Sequence, residues 1–225
     1  MSGPVKRRSY DNSRREEGAR QTRRSIVAAA QDLFVVAGYP ATTFPAIADG
    51  AGVSVQTVFA HFPAKRDLLK EVIDQAVVGD DKPVPVRNRP EVAAILAEPD
   101  PEQKLRLHAA HAVAISRRAT SVDQMLRSAA AVDPEAAELW RRGSQDRQGG
   151  MEQFAAHLFE GGHLREGLSA HQAADRLAVL IDPEVYRLTV GVRGWSPEQH
   201  EEWLAEMLIA SLLPVPAKHG EASST

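Results

Sequence analysis

The polar side chains of Ser54, Gln56 and Thr57, with apolar Val55 among them, have the chemistry needed to read base edges of duplex DNA. The Gln56 amide could pair with an adenine edge, and Val55 or the Thr57 methyl group could contact a thymine methyl group. Ser54 is a suitable cap for a short helix that presents these side chains together. An ordinary solvated helix face has the same composition, so both interpretations stand at this point.

Three further residues are candidates for binding phosphate. Thr43 and Lys65 each lie near the start of a predicted helix, where hydroxyl, amide and ammonium groups can bind an anion. His61 could do the same, or it could pack with Phe62 against the following helix. Phosphate contacts of this kind would set the register of the base-reading residues.

Residues 43–59 fit a helix-turn-helix that would hold these side chains. The motif needs a small residue where two helices cross, a residue that permits a turn four places later, and apolar anchors on the inner side. Ala48 meets the first need, and Gly52 can adopt the left-handed conformation that ends the first helix. The anchors are Ile47, Val53 and Val58.

Apolar residues at three- and four-residue spacing predict one helix before this motif and one after it. The earlier helix ends at Gly38 and the later one reaches Gly79, so four helices fit before residue 79. The earlier set is Ile26, Ala29, Ala30, Leu33, Phe34 and Ala37; the later set is Leu68, Leu69, Val72, Ile73, Ala76 and Val77.

Residues 20–78 resemble the TetR family of bacterial transcriptional regulators. The resemblance implies a DNA-binding domain followed by a helical domain that dimerises and often binds a small effector. The family usually has tyrosine where this chain has Phe59, so a hydroxyl contact to phosphate is absent there. The matching residues are Ile26, Ala29-Ala30, Leu33-Phe34, Gly38-Tyr39, Thr42-Thr43, Ile47-Ala48, Ala51-Gly52-Val53-Ser54, Thr57, His61-Phe62, Lys65 and Leu68-Leu69.

The charge distribution agrees with a DNA-binding N-terminal part. Residues 1–70 hold eleven Lys/Arg and six Asp/Glu, a net charge of +5, and the remaining 16 basic and 24 acidic residues give −8. This split favours contact with a polyanion at the N-terminal part alone, although a solvated basic tail would look the same. Within residues 1–19 we expect the basic side chains to raise nonspecific affinity. They include Lys6, Arg7, Arg8, Arg14 and Arg15.

We expect an all-α chain with an N-terminal three-helix helix-turn-helix domain and a larger C-terminal helical domain, in the TetR-like arrangement. The predicted segments are a disordered basic arm (1–19), the DNA-binding domain (20–78), a Pro-rich connector (79–100), a ligand-binding and dimerisation domain (101–213) and a disordered tail (214–225). Later helix starts are predicted at Asp100-Pro101, Asp133-Pro134, Asp182-Pro183 and Ser196-Pro197, with a capping box at Ser169 and Gln172.

The C-terminal domain is expected to hold a small-molecule effector and to pair with a second copy of the chain. Any of the apolar or aromatic residues could instead be plain core. Candidate pocket residues are His108, His111, Met125, Trp140, Phe154, His157 and Phe159. By resemblance, two amphipathic helices over 169–193 and 196–213 would form a four-helix bundle with their mates, unless they cover the chain's own core. Candidate interface residues are Leu177, Leu188, Trp203, Met207 and Leu208.

The sequence argues against an enzyme. After His200-Glu201, Leu204 stands where a zinc protease helix needs its second histidine, and no nucleophile elbow or phosphate loop occurs. The chain has no cysteine, and His108 and His111 have no carboxylate at helical spacing on their shared face, so no cofactor and no metal are expected. No segment predicts secretion or membrane insertion, which favours the cytoplasm.

The expected function is that of a transcriptional repressor. Its partners would be a double-stranded, near-palindromic DNA operator, a second copy of the chain in a homodimer, and a small-molecule effector that releases it. The alternative is a helical ligand-binding or adaptor protein without specific DNA binding.

Overall fold

The described residues, 6–82 and 84–215 of a computed structural model, form helices and no strand. The all-α prediction is therefore confirmed. The helices are α1 (Lys6–Ala37), α2 (Phe44–Ala51), α3 (Val55–His61), α4 (Lys65–Val78), α5 (Pro90–Ala97), α6 (Pro101–Ala130), α7 (Pro134–Glu160), α8 (Ala170–Leu180), α9 (Pro183–Tyr186) and α10 (Pro197–Leu212). A 3₁₀ turn (Val86–Asn88) precedes α5, and α9 continues as a π-helical segment (Arg187–Val192). None of the described helices is both long enough and apolar enough to cross a membrane.

The chain divides into two compact units whose boundary differs from the predicted one. The first unit contains α1–α4 and residues 121–141, which are the end of α6 and the start of α7. The second contains residues 84–120 and those from 142 onward. Residues 121–141 were expected in the C-terminal domain. They belong with the first unit, where Met125 and Ala129 line a shared pocket with Phe34 and Tyr39.

The first unit is built around the apolar faces that the sequence spacing predicts. α1 and α2 approach closely at Gly50, because a Cβ at this position would lie 3.3 Å from the Ala29 Cβ. At the end of α1, the buried Thr42 hydroxyl donates to the Gly38 carbonyl over 2.8 Å. The fully buried side chains of the first unit include Ile26, Phe34, Tyr39, Ile47, Val58, Phe62, Leu68 and Leu69.

The second unit has its own core, formed by the first part of α6, the second part of α7, and α8 to α10. Predicted helix starts at Pro101, Pro134, Pro183 and Pro197 are confirmed. The capping box of Ser169 with Gln172 is also confirmed. The core includes Leu105, Ala109, Phe154, Leu158, Ala173, Leu177, Leu204 and Leu208.

Several predicted boundaries require correction. α1 begins at Lys6, so residues 6–19 of the expected disordered arm are helical, and residues 1–5 lie outside the described part. The connector 79–100 contains a 3₁₀ turn and α5, which starts at Pro90 because proline suits the first helical turn. The amphipathic segment 169–193, expected by resemblance to act as one helix, is divided at the predicted helix start Asp182-Pro183, where the Asp182 side chain caps α9. Residues 216–225 of the expected tail also lie outside the described part.

Gly52 provides a test of the turn between α2 and α3. It has a φ of 66°, and no atom lies within 4 Å of a Cβ built on it. Gly52→Ala should therefore reduce the free energy of unfolding by about 1–2 kcal/mol through backbone conformation alone. Urea unfolding followed by circular dichroism measures the change.

Gly18→Ala is the matched control, since Gly18 lies in α1 of the same unit and a Cβ there also meets nothing within 4 Å. This control should raise stability by about 0.5–1 kcal/mol. A stable Gly52→Ala variant would contradict the conformational argument.

Candidate nucleic-acid interface

The turn between α2 and α3 fixes the direction in which α3 leaves. The Gly52 amide donates to the carbonyls of Ala48 and Asp49, and the Val53 amide donates to the Ala48 carbonyl over 3.0 Å. Ile47 on α2 and Val58 on α3 are fully buried, so each helix is anchored on its inner side. The predicted helix-turn-helix is confirmed.

The N-terminus of α3 uses two of the side chains predicted to read DNA. The Ser54 Oγ accepts the Thr57 amide over 3.1 Å, and the two hydroxyl oxygens lie 2.9 Å apart in a second hydrogen bond. Ser54 is therefore a helix cap, and half-buried Thr57 supports it. Gln56 is exposed and Val55 is half-buried, so these two side chains remain the candidates for contacting bases.

Thr43 occupies a comparable position at the start of α2. It is exposed, and its Oγ1 accepts the Ala46 amide over 3.4 Å. A hydroxyl that accepts one hydrogen bond can still donate its own proton. Thr43 thus remains suited to bind a phosphate oxygen.

Phe59 and His61 lie further along α3. The Phe59 side chain is 51% exposed and contacts Phe44 edge-to-face, with ring centroids 4.6 Å apart. His61 is half-buried in the last turn, and its carbonyl accepts from Arg23 over 3.3 Å. The exposed surface of α3 is therefore apolar at Phe59, where a tyrosine would add a hydroxyl group able to bind phosphate.

Lys65 does not have the free ammonium group that the sequence predicted. Its Nζ donates to three carbonyls, those of Tyr39 (3.0 Å), Pro40 (3.3 Å) and Thr42 (3.2 Å). It also lies 4.4 Å from the centroid of the Tyr39 ring. An ammonium has three protons to donate, and all three are used. The predicted phosphate role is therefore wrong in this geometry: Lys65 holds the loop between α1 and α2.

Burial keeps the aromatic partner of Lys65 in its neutral form. Burial raises the pKa of this partner, Tyr39, to about 12, and the negative charges of Asp133 and Glu135 also raise it. Its ring also contacts Phe34 edge-to-face at 5.3 Å. The phenol is therefore a fixed part of the core beneath the loop.

Arg23 on α1 binds the C-terminal end of α3, a role that the sequence analysis did not predict. Its guanidinium donates to the His61 carbonyl, binds the Glu71 carboxylate over 2.7 Å, and lies 4.2 Å from the Phe62 ring centroid. Gln75 in turn donates to Glu71 over 2.8 Å. Because Arg23 and Glu71 are 48 positions apart, no local spacing could link them.

Other basic residues of the N-terminal part are also paired within the chain. Arg20 and Arg24 both bind the Asp81 carboxylate, over 3.0 Å and 2.9 Å. The hydrogen bond from Arg24, followed by that from Arg20, lowers the pKa of Asp81. The net charge of +5 on residues 1–70 therefore overstates the positive charge that is available to contact DNA.

The start of α4, predicted to bind phosphate through Lys65, offers Arg66 for this role, a residue that the sequence analysis did not name. Ala64 stands at the N-cap and no side chain caps the helix, which leaves first-turn amides without a capping group. In the described part of the chain, half-buried Arg66 in this first turn has no ion-pair partner.

The predicted pocket residues do not form one site. Met125 and Trp140 belong to the first unit, where Met125 lines an open pocket of about 390 Å³ and Arg127 lies 5.9 Å from the Trp140 ring centroid. His108, His111, Phe154 and His157 belong to the second unit. The Phe159 side chain is 55% exposed. The grouping of all seven in a single pocket is therefore wrong.

Two histidines of the second unit, buried His108 and half-buried His111, have lowered pKa values. Burial lowers the pKa of His108 to about 4, and the neighbouring His111 adds to the effect. Burial is also the largest cause of a lowered pKa at His111. No cluster of three histidine, aspartate or glutamate side chains suited to a metal occurs in residues 6–82 and 84–215.

The predicted interface residues separate into two groups. Leu177 and Leu208 are fully buried inside the second unit, so they cannot contact a partner and this prediction is corrected. Leu188 is 44% exposed, and Trp203 and Met207 are half-buried. Only the latter three remain available to a second copy of the chain.

Comparison with known proteins adds a family match for the first unit. Residues 26–72 match the model of a family described as bacterial regulatory proteins, tetR family. A search of the curated proteins finds no match. The resemblance drawn from the motifs is thereby confirmed.

Solved structures extend the similarity of fold to most of the chain. NalD, the secondary repressor of the MexAB-OprM multidrug efflux pump in Pseudomonas aeruginosa, is 24% identical with a TM-score of 0.64, covering 87% of this chain and 98% of NalD. SmeT in complex with triclosan is 19% identical with a TM-score of 0.67, covering 91% and 99%. A Saccharomonospora viridis protein in complex with choline is 22% identical with a TM-score of 0.63, covering 85% and 97%. At these identities the likeness is one of fold.

The role assigned to Lys65 leads to a distinctive pair of outcomes. Lys65→Ala should lower the free energy of unfolding by about 2 kcal/mol, because it removes charge-assisted hydrogen bonds to three carbonyls. It should leave the slope of log K for DNA against log salt unchanged, since no phosphate contact is lost. Urea unfolding and salt-dependent fluorescence anisotropy measure the two quantities.

Lys70→Ala is the matched control, because Lys70 is exposed on the same helix and, among residues 6–82 and 84–215, pairs with Asp74 alone. Its stability should change by no more than about 0.5 kcal/mol. If Lys65→Ala keeps wild-type stability and reduces the salt slope by about one, Lys65 binds phosphate after all.

Proposed function

We propose that the chain, whose residues 26–72 match the tetR family of bacterial regulatory proteins, is a ligand-responsive repressor of transcription. As a homodimer it binds a near-palindromic operator in duplex DNA, and a small-molecule effector releases it. Its place of action is the bacterial cytoplasm. Members of this family are DNA-binding regulators rather than enzymes, and no catalytic role is proposed.

The observation that carries this proposal is the exposed amide of Gln56 on a helix whose backbone is fixed at both ends. Ser54 caps the start of α3, and Arg23 binds the carbonyl of His61 at its end. A side chain on such a helix enters a groove with little loss of conformational entropy. Gln56 can then pair with the N6 and N7 edge of an adenine.

Contacts to the DNA backbone position this helix. Thr43 supplies a hydroxyl at the start of α2, and Arg66 lies in the uncapped first turn of α4. Helix N-termini with free amides favour phosphate groups. The candidate contacts therefore stand on both sides of α3 in the chain.

A two-fold dimer follows from the small size of the reading surface. A helix of seven residues, Val55–His61, reaches few base pairs, so two copies reading two half-sites give the needed specificity. Leu188, Trp203 and Met207 offer partly exposed apolar side chains late in the chain. A symmetric pair of these surfaces would bury them.

Repression and effector release are supported by the similar structures. NalD is described as a repressor, and SmeT and the S. viridis protein were solved with small molecules. An effector that favours a second arrangement of the dimer lowers DNA affinity by its differential affinity for the two arrangements. The buried polar residues of the second unit are the candidate effector site.

An adaptor without specific DNA binding is the second candidate function. Three hydrogen-bonding groups predicted for DNA are used within the chain, those of Ser54, Thr57 and Lys65. Phe59 also lacks the usual hydroxyl. The two functions differ in whether Gln56 affects the choice of base.

Gln56→Ala separates them. On the duplex that the wild-type protein selects from a random pool, with each base pair changed in turn, the variant should lose preference at one position per half-site. The cost at the preferred base should be about 1–3 kcal/mol, because a bidentate amide contact is lost. Fluorescence anisotropy titrations give the affinities.

Gln103→Ala provides the control, since Gln103 is exposed on α6 in the second unit. It should bind every duplex as the wild type does. A Gln56→Ala protein with an unaltered base preference favours the adaptor function.

A further inference from the structure

A lysine is buried in the second unit without a carboxylate partner. Lys104 on α6 is 3% exposed, and its Nζ donates to the His157 Nε2 over 2.8 Å. No ion pair involves it in the described part of the chain. A buried ammonium group is unfavourable unless an anion pairs with it.

Two unsatisfied nitrogens lie on the same face of α6. His108 and His111 follow Lys104 by one and two helical turns, and the Nε2 of each is buried with no hydrogen-bond partner. His108 is 7% exposed, and its ring stacks on Phe154 with centroids 4.2 Å apart and planes 14° apart. Buried polar atoms without partners are rare in proteins, and a bound water molecule or ligand usually satisfies them. We call Lys104, His108, His111, Phe154 and His157 the Lys104 cluster.

The facing helix α7 carries two adjacent half-buried glycines, Gly149 and Gly150. Lys104 contacts His157, and His108 contacts Phe154 one turn on, so α6 and α7 run antiparallel here. The same register places Gly150 and Met151 opposite His111. A Cβ on Gly149 or Gly150 would have no atom within 4 Å. Two adjacent glycines inside a helix weaken it, and no close packing explains their presence.

We propose that the Lys104 cluster binds the carboxylate of an organic acid, whose apolar body lies against Phe154. The Lys104 ammonium pairs with one carboxylate oxygen. The Nε2 groups of His108 and His111, in the tautomer protonated there, donate to the carboxylate. This inference rests on the proposed ligand response and names the class of its effector.

Charge at the cluster favours an anion over a cation. Arg118 and Glu91 both act electrostatically on His111, and their opposite charges offset each other. Both of these residues are exposed, whereas Lys104 is buried. The neutral histidines add donors without adding charge. A cationic ligand would have to lie beside an uncompensated ammonium group.

The test uses three naphthalene probes of matched size: 2-naphthoate, 2-naphthamide and 2-naphthylmethylammonium. Isothermal titration calorimetry on the full chain at pH 7.5 should show naphthoate binding about tenfold more tightly than either of the others, or better. Equal or weaker binding of naphthoate, including no binding of any probe, overturns the proposal.

Lys104→Gln keeps an N–H donor for His157 and removes the charge. It should weaken naphthoate by about tenfold and leave naphthamide within about twofold of wild type. Arg106→Gln is the control, because it removes a positive charge from the exposed side of α6. It should change neither affinity. An unchanged naphthoate affinity in Lys104→Gln overturns the proposal.

His108→Phe keeps the stacking on Phe154 and removes the Nε2 group, so it serves if Lys104→Gln does not fold. This variant should also bind naphthoate more weakly than the wild type and bind naphthamide with unchanged affinity. DNA binding by the wild-type protein distinguishes the two levels of inference. If the wild-type protein binds DNA sequence-specifically but does not prefer naphthoate, only the effector class is overturned. If the wild-type protein shows no sequence-specific DNA binding, the proposed function is overturned.

Discussion

The orientation of α3 depends on a backbone constraint at the end of α2. Gly52 takes a left-handed conformation, and its amide and that of Val53 return to the last carbonyls of α2. At Gly50 the absence of a side chain lets α2 lie against Ala29 of α1. These two glycines fix the path of the chain, and the caps and anchors of α3 follow from that path.

Electrostatic groups near this turn stabilise the fold more than they serve DNA. Lys65 holds the loop after α1, Arg23 holds the end of α3, and Arg20 and Arg24 bind Asp81. Under the proposed function, DNA contact would rest on a few exposed side chains and on helix N-termini. Such a site would need two copies of the chain, because each copy would contribute little affinity by itself.

The sequence predicts the local features of this protein well. Helix faces, the Gly52 turn, the Ser54 cap and the proline starts depend on residues within one or two turns of each other, which spacing reveals. The pairings of Lys65 with the Tyr39 carbonyl and of Arg23 with Glu71 join residues 26 and 48 positions apart. No local pattern encodes those pairings. The sequence also does not show that α6 and α7 each run through both units. The candidate pocket residues on these two helices were therefore grouped together although they belong to different units.

The central claim is that α3 presents Gln56 to the bases of two symmetric half-sites. Selection of duplexes from a random pool by the purified full-length chain, followed by sequencing, tests it most directly. The account predicts one enriched inverted repeat, whose half-site centres lie about one helical turn apart or a multiple of it. Recovery of duplexes without a shared motif, or of a single half-site without its inverted copy, would contradict it.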